Sequence, residues 1–200
     1  MPRWFPLQFA SLGFRVKTGR AIVVALAAPV ARPRILFRRE VQLCDPKVPE
    51  SRQPYHGAIM PFVPAMSAAA ARGRKAAQRV ADSVVKALSR ELRAAGYPLA
   101  GVALVVASDP DVSTIGSSHV RAHAMEGILF REVLEAGARS CRVPSVKVLE
   151  RQVLARAAAA LRRREGDLRR ALAQWRAQIG SPWRTEEKSA ALGAWLALKL

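Results

Sequence analysis

The stretch that most restricts the fold is Gly101-Val-Ala-Leu-Val-Val-Ala107, which carries no polar side chain from end to end. A strand that is apolar at every position has no wet face, the pattern of a strand in a parallel sheet covered on both sides. Helical periodicity stands on either flank. Before the run, Ser67 to Ala95 predicts a long helix, with Val80, Val84, Leu88 and Leu92 at four-residue spacing. Arg72, Arg74, Lys75, Arg79, Lys86 and Arg90 decorate its other faces, and Gly96 stands where a left-handed cap is expected. After the run, Asp109-Pro110-Asp111 ends the strand, and Ser118–Ser140 predicts a second helix capped by Ser117 or Ser118.

The amino-terminal part reads as β structure. Ile35, Phe37, Val41 and Leu43 share one face of a two-residue alternation, with Arg38, Glu40 and Gln42 on the other. Residues 14–27 are expected as the antiparallel partner, with Pro29 and Pro33 in the connection. Lys17-Thr18-Gly19-Arg20 followed by the apolar 21–31 also has the outline of a secretory signal. The alternation that follows favours a hairpin, and the apolar run is too short to cross a bilayer. Residues 1–12, with Pro2, Trp4, Phe5 and Pro6, are expected as an irregular lead-in to one α/β domain over 13–200. Pro46, Pro49, Pro54, Pro61 and Pro64 exclude a helix or central strand over 45–66. Pro144–Leu149 predicts a short strand, and Val153–Ala160, Gly166–Ile179 and Thr185–Leu198 predict helices. Thr185 is the expected cap of the last, with Glu186 and Glu187 in its first turn. The order predicts an α/β fold, a mixed central sheet opening with an antiparallel hairpin and flanked by helices.

Charge narrows the partners. The 200 residues carry 33 Lys and Arg against 15 Asp and Glu, a net charge of +18, and 26 of the 33 are Arg. Such a field attracts polyanions, although an Ala- and Arg-heavy chain also acquires basicity from composition alone. Arg151, Arg156, Arg162, Arg163, Arg164, Arg169, Arg170 and Arg176 crowd one stretch, opposed only by Glu165 and Asp167. Of these, Arg162, Arg163, Arg164, Arg169 and Arg170 are the candidate contacts to a nucleic-acid backbone. Trp175 and Trp183 are available to stack on bases or to pack in the core. Cys44 and Cys141 form no metal or disulfide spacing, so a reducing, cytoplasmic setting with no membrane partner is expected.

Two sets of residues could carry chemistry. His119, His123, Glu126 and Phe130 fall on one stripe of the second helix, beside an expected core stripe of Ala122, Met125, Leu129, Val133 and Ala136. His56 lies in the proline-rich segment after Arg52 and Tyr55. These residues could hold a divalent metal, act as acid and base, bind an anion with Arg121 at the helix start, or dock the segment onto the helix. A protein partner or a second copy of the chain could also dock around Tyr55, His56 and that helix. The acids Asp109 and Asp111, at the carboxyl end of the central strand, form a second candidate set with Glu187. Converging carboxylates would bind Mg²⁺ or Mn²⁺ for phosphodiester hydrolysis; helix capping and turn formation are the structural alternative.

The ordering resembles the ribonuclease H-like superfamily, and within it the RuvC-type Holliday-junction resolvases. Val102–Ala107 is similar to their central strand, and His119–Ser140 to the helix after it. The passage from Val143 to Gln152 resembles their strand-to-helix "GLPV…PRQ", and Glu187 to Ala197 their closing "DAADALA" helix. The stretches DPKVPESRQPYH, HVRAHAMEGILFR and PWRTEEKSAALGAWL are similar to a family of bacterial hypothetical proteins. The resemblance implies a ribonuclease H-like fold and a four-acid, metal-dependent nuclease centre. Here Arg15 stands at the first-strand acid and the central-strand acid falls near Ala107 or Ser108, with Asp109 close by. Glu187 matches the first acid of the last helix and Ala190 stands at the second. The expectation is therefore binding of nucleic acid, or another phosphate-bearing ligand, without efficient catalysis.

Overall fold

The computed structural model describes residues 8–56 and 64–200. The expected lead-in residues 1–7, and Pro61 in the proline-rich segment, lie outside them. Five strands, β1 (Ala10–Lys17), β2 (Arg20–Ala27), β3 (Arg34–Gln42), β4 (Leu99–Val106) and β5 (Ser145–Leu149), form one sheet in the order β3-β2-β1-β4-β5. β1, β2 and β3 pair antiparallel, and β1, β4 and β5 pair parallel. The mixed sheet expected from the sequence is thus present. Five α-helices flank it: α1 (Pro64–Ala94), α2 (Ser118–Ser140), α3 (Val153–Leu161), α4 (Glu165–Ile179) and α5 (Thr185–Ala197).

Four details depart from the sequence reading. Residues 14–27 are not one strand: Lys17 pairs with Arg20, so Thr18-Gly19 is a two-residue hairpin turn. Gly19 takes a positive φ of 74°, open to a residue without Cβ. The first strand begins at Ala10, inside the expected lead-in. The pairing of β2 with β3 shifts register between Ala25 and Leu26, whose partners are Phe37 and Ile35. The extra residue at Leu36 turns Ile35 to the opposite face from Phe37 and Val41, undoing the expected single stripe. Finally, α1 starts at Pro64 rather than Ser67, since proline is compatible with a first helical turn that needs no donor.

Each face of the sheet has its own core. Leu12, Phe14, Val16, Val23, Val102 and Leu104 pack under α1 and α2. On α1 the buried positions are Gly73, Ala76, Ala77, Ala81, Val85, Leu88 and Leu92, so Val80 and Val84 flank the stripe instead of forming it. The other face carries Ile22, Val24, Leu26 and Val105 under α3, α4 and α5. Trp175 and Trp183 are buried there, Trp175 edge-on to Trp195 at 5.3 Å between ring centres, which gives both to the core and not to base stacking. Helix α5 lies directly on β1. A Cβ at Gly13 would overlap the Ala190 carbonyl oxygen and the Ala194 nitrogen, and Ser11 Oγ donates to the Ala194 carbonyl at 2.6 Å.

Candidate functional site

The parallel strands β1 and β4 end at a crevice of about 270 Å³, lined by Arg15, Lys17, Thr18, Ser108, Pro110 and His123 among others. The carboxyl edge of parallel strands is where open α/β sheets place ligands. Two clusters of polar and charged side chains border this crevice.

The first is built on Arg15. Inward positions of β1 facing α5 run Ser11, Gly13, Arg15, and the alternation of the strand leaves Arg15 buried against that helix. Its Nε and Nη2 donate to the two carboxylate oxygens of Glu150 at 2.6 and 2.7 Å, a bidentate fork, while Nη1 donates to the Val16 carbonyl at 2.7 Å. Glu150 opens a 3-10 turn just after β5, and Ser189 of α5 donates to it at 3.1 Å. Burial pushes the Glu150 carboxyl up, but the hydrogen bond and charge of Arg15, aided by Ser189 and Lys17, outweigh it and hold it below its ordinary value. Lys17, further along β1, pairs with Glu186. Glu150 and Ser189 carry no local signal in the sequence, because Glu150 meets Arg15 across 135 positions of chain.

The carboxylates of the expected acidic set are engaged separately. Asp109 takes hydrogen bonds from Lys147 and Arg131, which hold its carboxyl below the usual range. Asp111 caps the short turn after β4, accepting from the Ser113 backbone N–H at 2.9 Å and from its hydroxyl. Glu187 accepts the Arg184 backbone N–H at 2.7 Å, so Arg184, not Thr185, is the cap of α5.

The second cluster is histidine. His56 Nε2 lies 3.1 Å from His123 Nε2, which lies 3.2 Å from His119 Nε2. The four-residue spacing puts His119 and His123 on one side of α2. His56 arrives on a loop held at several points. The hydroxyl of buried Ser51 bonds the Asp45 backbone, Tyr55 packs on the core, and Gly73 lets the Glu50 carbonyl sit against α1. Arg52 lies along the Gly19 turn. Behind the imidazoles Glu126 is wholly buried and takes the His56 Nδ1 contact at 2.7 Å. The buried face of α2 is therefore rotated from the expected stripe: Glu126 and Phe130 are inside, while Met125 and Ala136 are only half-buried. Arg121 folds back on the Ile115 carbonyl at 2.6 and 3.0 Å, steadying the loop before the helix.

Among the candidate cations, Arg163 donates to the Ala31 carbonyl and lies over the Trp195 ring at 5.4 Å. Arg164 and Arg170 share Asp167, and Arg169 pairs with Glu165. Arg162 ends α3 with a positive φ of 52°. Among the described residues, no helix is long and apolar enough to cross a membrane.

Comparison with known proteins bears on the fold. No protein-family model and no curated protein matches the chain. Among solved structures, RuvC of T. thermophilus in complex with Holliday junction substrate is similar at 13% identity, over 94% of this chain and 91% of that one, with a TM-score of 0.54. A second Thermus thermophilus RuvC structure gives 13% identity, 94% and 92% coverage and a TM-score of 0.53. The likeness extends over almost the full length of both proteins, and the fold of this chain is ribonuclease H-like.

Proposed function

We propose that the chain binds nucleic acid through its basic surface on a ribonuclease H-like scaffold and does not cleave it by carboxylate–metal chemistry. The observation that carries this reading is the Arg15–Glu150 clasp at the end of β1. Mg²⁺ takes oxygen ligands, usually one or two carboxylates beside its waters. At this position it would meet a guanidinium, and the Glu150 carboxylate beside it is already held by both arms of that guanidinium. Ala190, fully buried over Gly13, supplies no replacement. The residues present do not fit the divalent ion that the resemblance implies.

Charge supports the binding half of the proposal. Glu40, Glu91, Asp109, Glu150, Asp167 and Glu186 are each ion-paired within the fold, so the net +18 is expressed as exposed arginine and lysine. The similar RuvC structure holds a Holliday junction substrate, which makes branched DNA the first ligand to test. Fluorescence anisotropy with a labelled four-way junction, a duplex and a single-stranded RNA, over a salt series, measures the contribution of phosphate neutralisation. Arg162→Ala, Arg164→Ala and Arg169→Ala combined should lower the log–log salt slope by up to about 0.9 for each phosphate left unneutralised. Arg163 is left intact because it packs on Trp195. Absence of binding to all three ligands near physiological salt would overturn the proposal. So would Mg²⁺- or Mn²⁺-dependent cleavage that disappears in Asp111→Asn.

A further inference from the structure

The histidine cluster has an arrangement that nucleic-acid binding does not require. Glu126 is acceptor-only when ionised, so the His56 Nδ1 contact at 2.7 Å places the proton on Nδ1. In the neutral ring, Nε2 then carries a lone pair, and it points at His123 Nε2, 3.1 Å away. His123 Nε2 in turn faces His119 Nε2 at 3.2 Å. A proton on His123 Nε2 aims along one direction and serves only one of these neighbours, leaving the other close nitrogen contact without a hydrogen bond. A cation among the three nitrogens satisfies all of them together.

The dimensions agree with such an ion. Bonds of about 2.0–2.1 Å to nitrogen at tetrahedral angles set ligand nitrogens about 3.3–3.4 Å apart. The two Nε2 separations, 3.1 and 3.2 Å, lie just inside that spacing. The three rings meet edge to face, with interplanar angles of 89°, 68° and 87°, and do not stack. Ligand atoms of all three histidines lie within 4.8 Å of one another, which no other group of three His, Cys, Asp or Glu among the described residues achieves.

Independent support comes from Glu126. Its side chain is 0% exposed, and Oε2 has no hydrogen-bond partner among the described residues, lying 4.0 Å from His123 Nδ1. A buried carboxylate with one bond to a neutral imidazole is poorly compensated. A metal ion on the far nitrogen of that imidazole supplies the missing positive charge through the ring, the carboxylate–histidine–metal relay that fixes the tautomer of many ligating histidines.

We infer that His56, His119 and His123 form a binding site for a Zn²⁺-class transition ion, oriented from behind by Glu126. Imidazole nitrogen selects this class over Mg²⁺ and Ca²⁺, which take oxygen. Three protein ligands leave a fourth position. His123 is half exposed and lines the crevice at the ends of β1 and β4, so that position opens toward water or an oxygen anion in the crevice. The inference stands apart from the nucleic-acid reading, since it uses none of the same side chains.

The experiment uses the full chain without an affinity tag. Co²⁺ titration should give the intense visible absorption of a tetrahedral site, saturating at one equivalent per chain, and Zn²⁺ should displace it stoichiometrically. Adding azide should shift the Co²⁺ spectrum as the fourth ligand is exchanged. His119→Ala and His123→Ala, at exposed positions of a helix anchored by its other face, should fold as the wild type does by circular dichroism and lose the signal. Glu126→Gln, which keeps an acceptor for His56, should retain the site with affinity about 10–100-fold weaker. An octahedral-type weak spectrum, no binding, or wild-type affinity in His119→Ala and His123→Ala would overturn the assignment. An unchanged spectrum with azide would overturn the open fourth position.

Discussion

Arg15→Met tests whether the clasp at the end of β1 is a structural lock. Methionine keeps most of the volume and removes the charge, leaving Glu150 with Ser189 as its remaining side-chain donor. Breaking a buried ion pair from one side costs about 3–5 kcal/mol. The Arg15 side chain is 8% exposed but that of Glu150 is 25% exposed, so water partly compensates the orphaned carboxylate and about 2–3 kcal/mol is expected. For a chain of this length that lowers Tm by roughly 5–10 °C. The pH dependence separates this cause from impaired packing. In the wild type the Glu150 carboxyl is held below its ordinary value. Its stabilisation is therefore complete above the unfolded-state value and is lost as pH falls through the lower folded-state value. Without Arg15, the burial that opposes ionisation prevails, the carboxyl moves upward, and protonation on lowering the pH relieves the variant while it weakens the wild type. Urea unfolding of both proteins at pH 7 and near pH 4 should show the stability gap narrowing in acid. Adding Glu150→Gln to Arg15→Met should recover part of the loss at pH 7. A gap that is unchanged with pH, or smaller than about 0.5 kcal/mol at pH 7, would refute the assignment, because surface pairs already account for that much.

Two further perturbations test the frame around the crevice. Gly13→Ala should destabilise by about 3 kcal/mol or more, because the new Cβ meets backbone of α5 that cannot rotate away; Gly193→Ala should cost less, since its Cβ meets a Val105 methyl at 2.8 Å. Thermal unfolding of the two variants checks the ranking, and equal costs would contradict it. Asp109→Asn, which weakens the exposed pairs with Lys147 and Arg131, should change stability by less than about 1 kcal/mol. Asp111→Asn should leave the unfolding midpoint in place, because the amide oxygen still caps Ser113; a large loss in either variant would mean these acids hold more than a turn and a surface pair.

The helices are legible in the sequence to within a few residues because their signals are local: Ser117 caps α2, and Gly96 follows α1 with a positive φ of 86°. The β1–β2 hairpin is obscured because the two-residue turn Thr18-Gly19, flanked by Lys17 and Arg20, lies within the 14–27 stretch that reads as one long strand. The bulge at Leu36 leaves no mark in the alternation, since both neighbours of the slip are apolar. Of the candidate site, His119, His123 and Glu126 follow from helical spacing. That His56 joins them depends on Ser51 and Tyr55 holding a loop against the core, a tertiary event with no periodic signature. The burial of Glu126 is hidden for a related reason. A carboxylate is placed outside by default, and only the His56 contact reverses the preference.

The two clusters explain how one crevice can keep its shape while its chemistry changes. Where the resemblance expects an acid on β1, the strand carries Arg15 and Lys17, and the opposing groups are Glu150 and Glu186. The charges are thus matched across the gap, and the match is coupled. An acid restored at position 15 alone would face Glu150 without the counter-charge that now neutralises it, and two carboxylates fall short of the four-acid set that the resemblance implies. Packing reinforces this. Helix α5 sits so close on Gly13 that Ala190 is sealed against the strand, and a carboxylate there would be buried without a donor. The histidines belong to the opposite wall, on α2 and the loop ending at His56, and share no bond with the clasp. Under the metal-site proposal, chemistry at this edge of the sheet comes from that wall, where three histidines converge in front of a buried carboxylate.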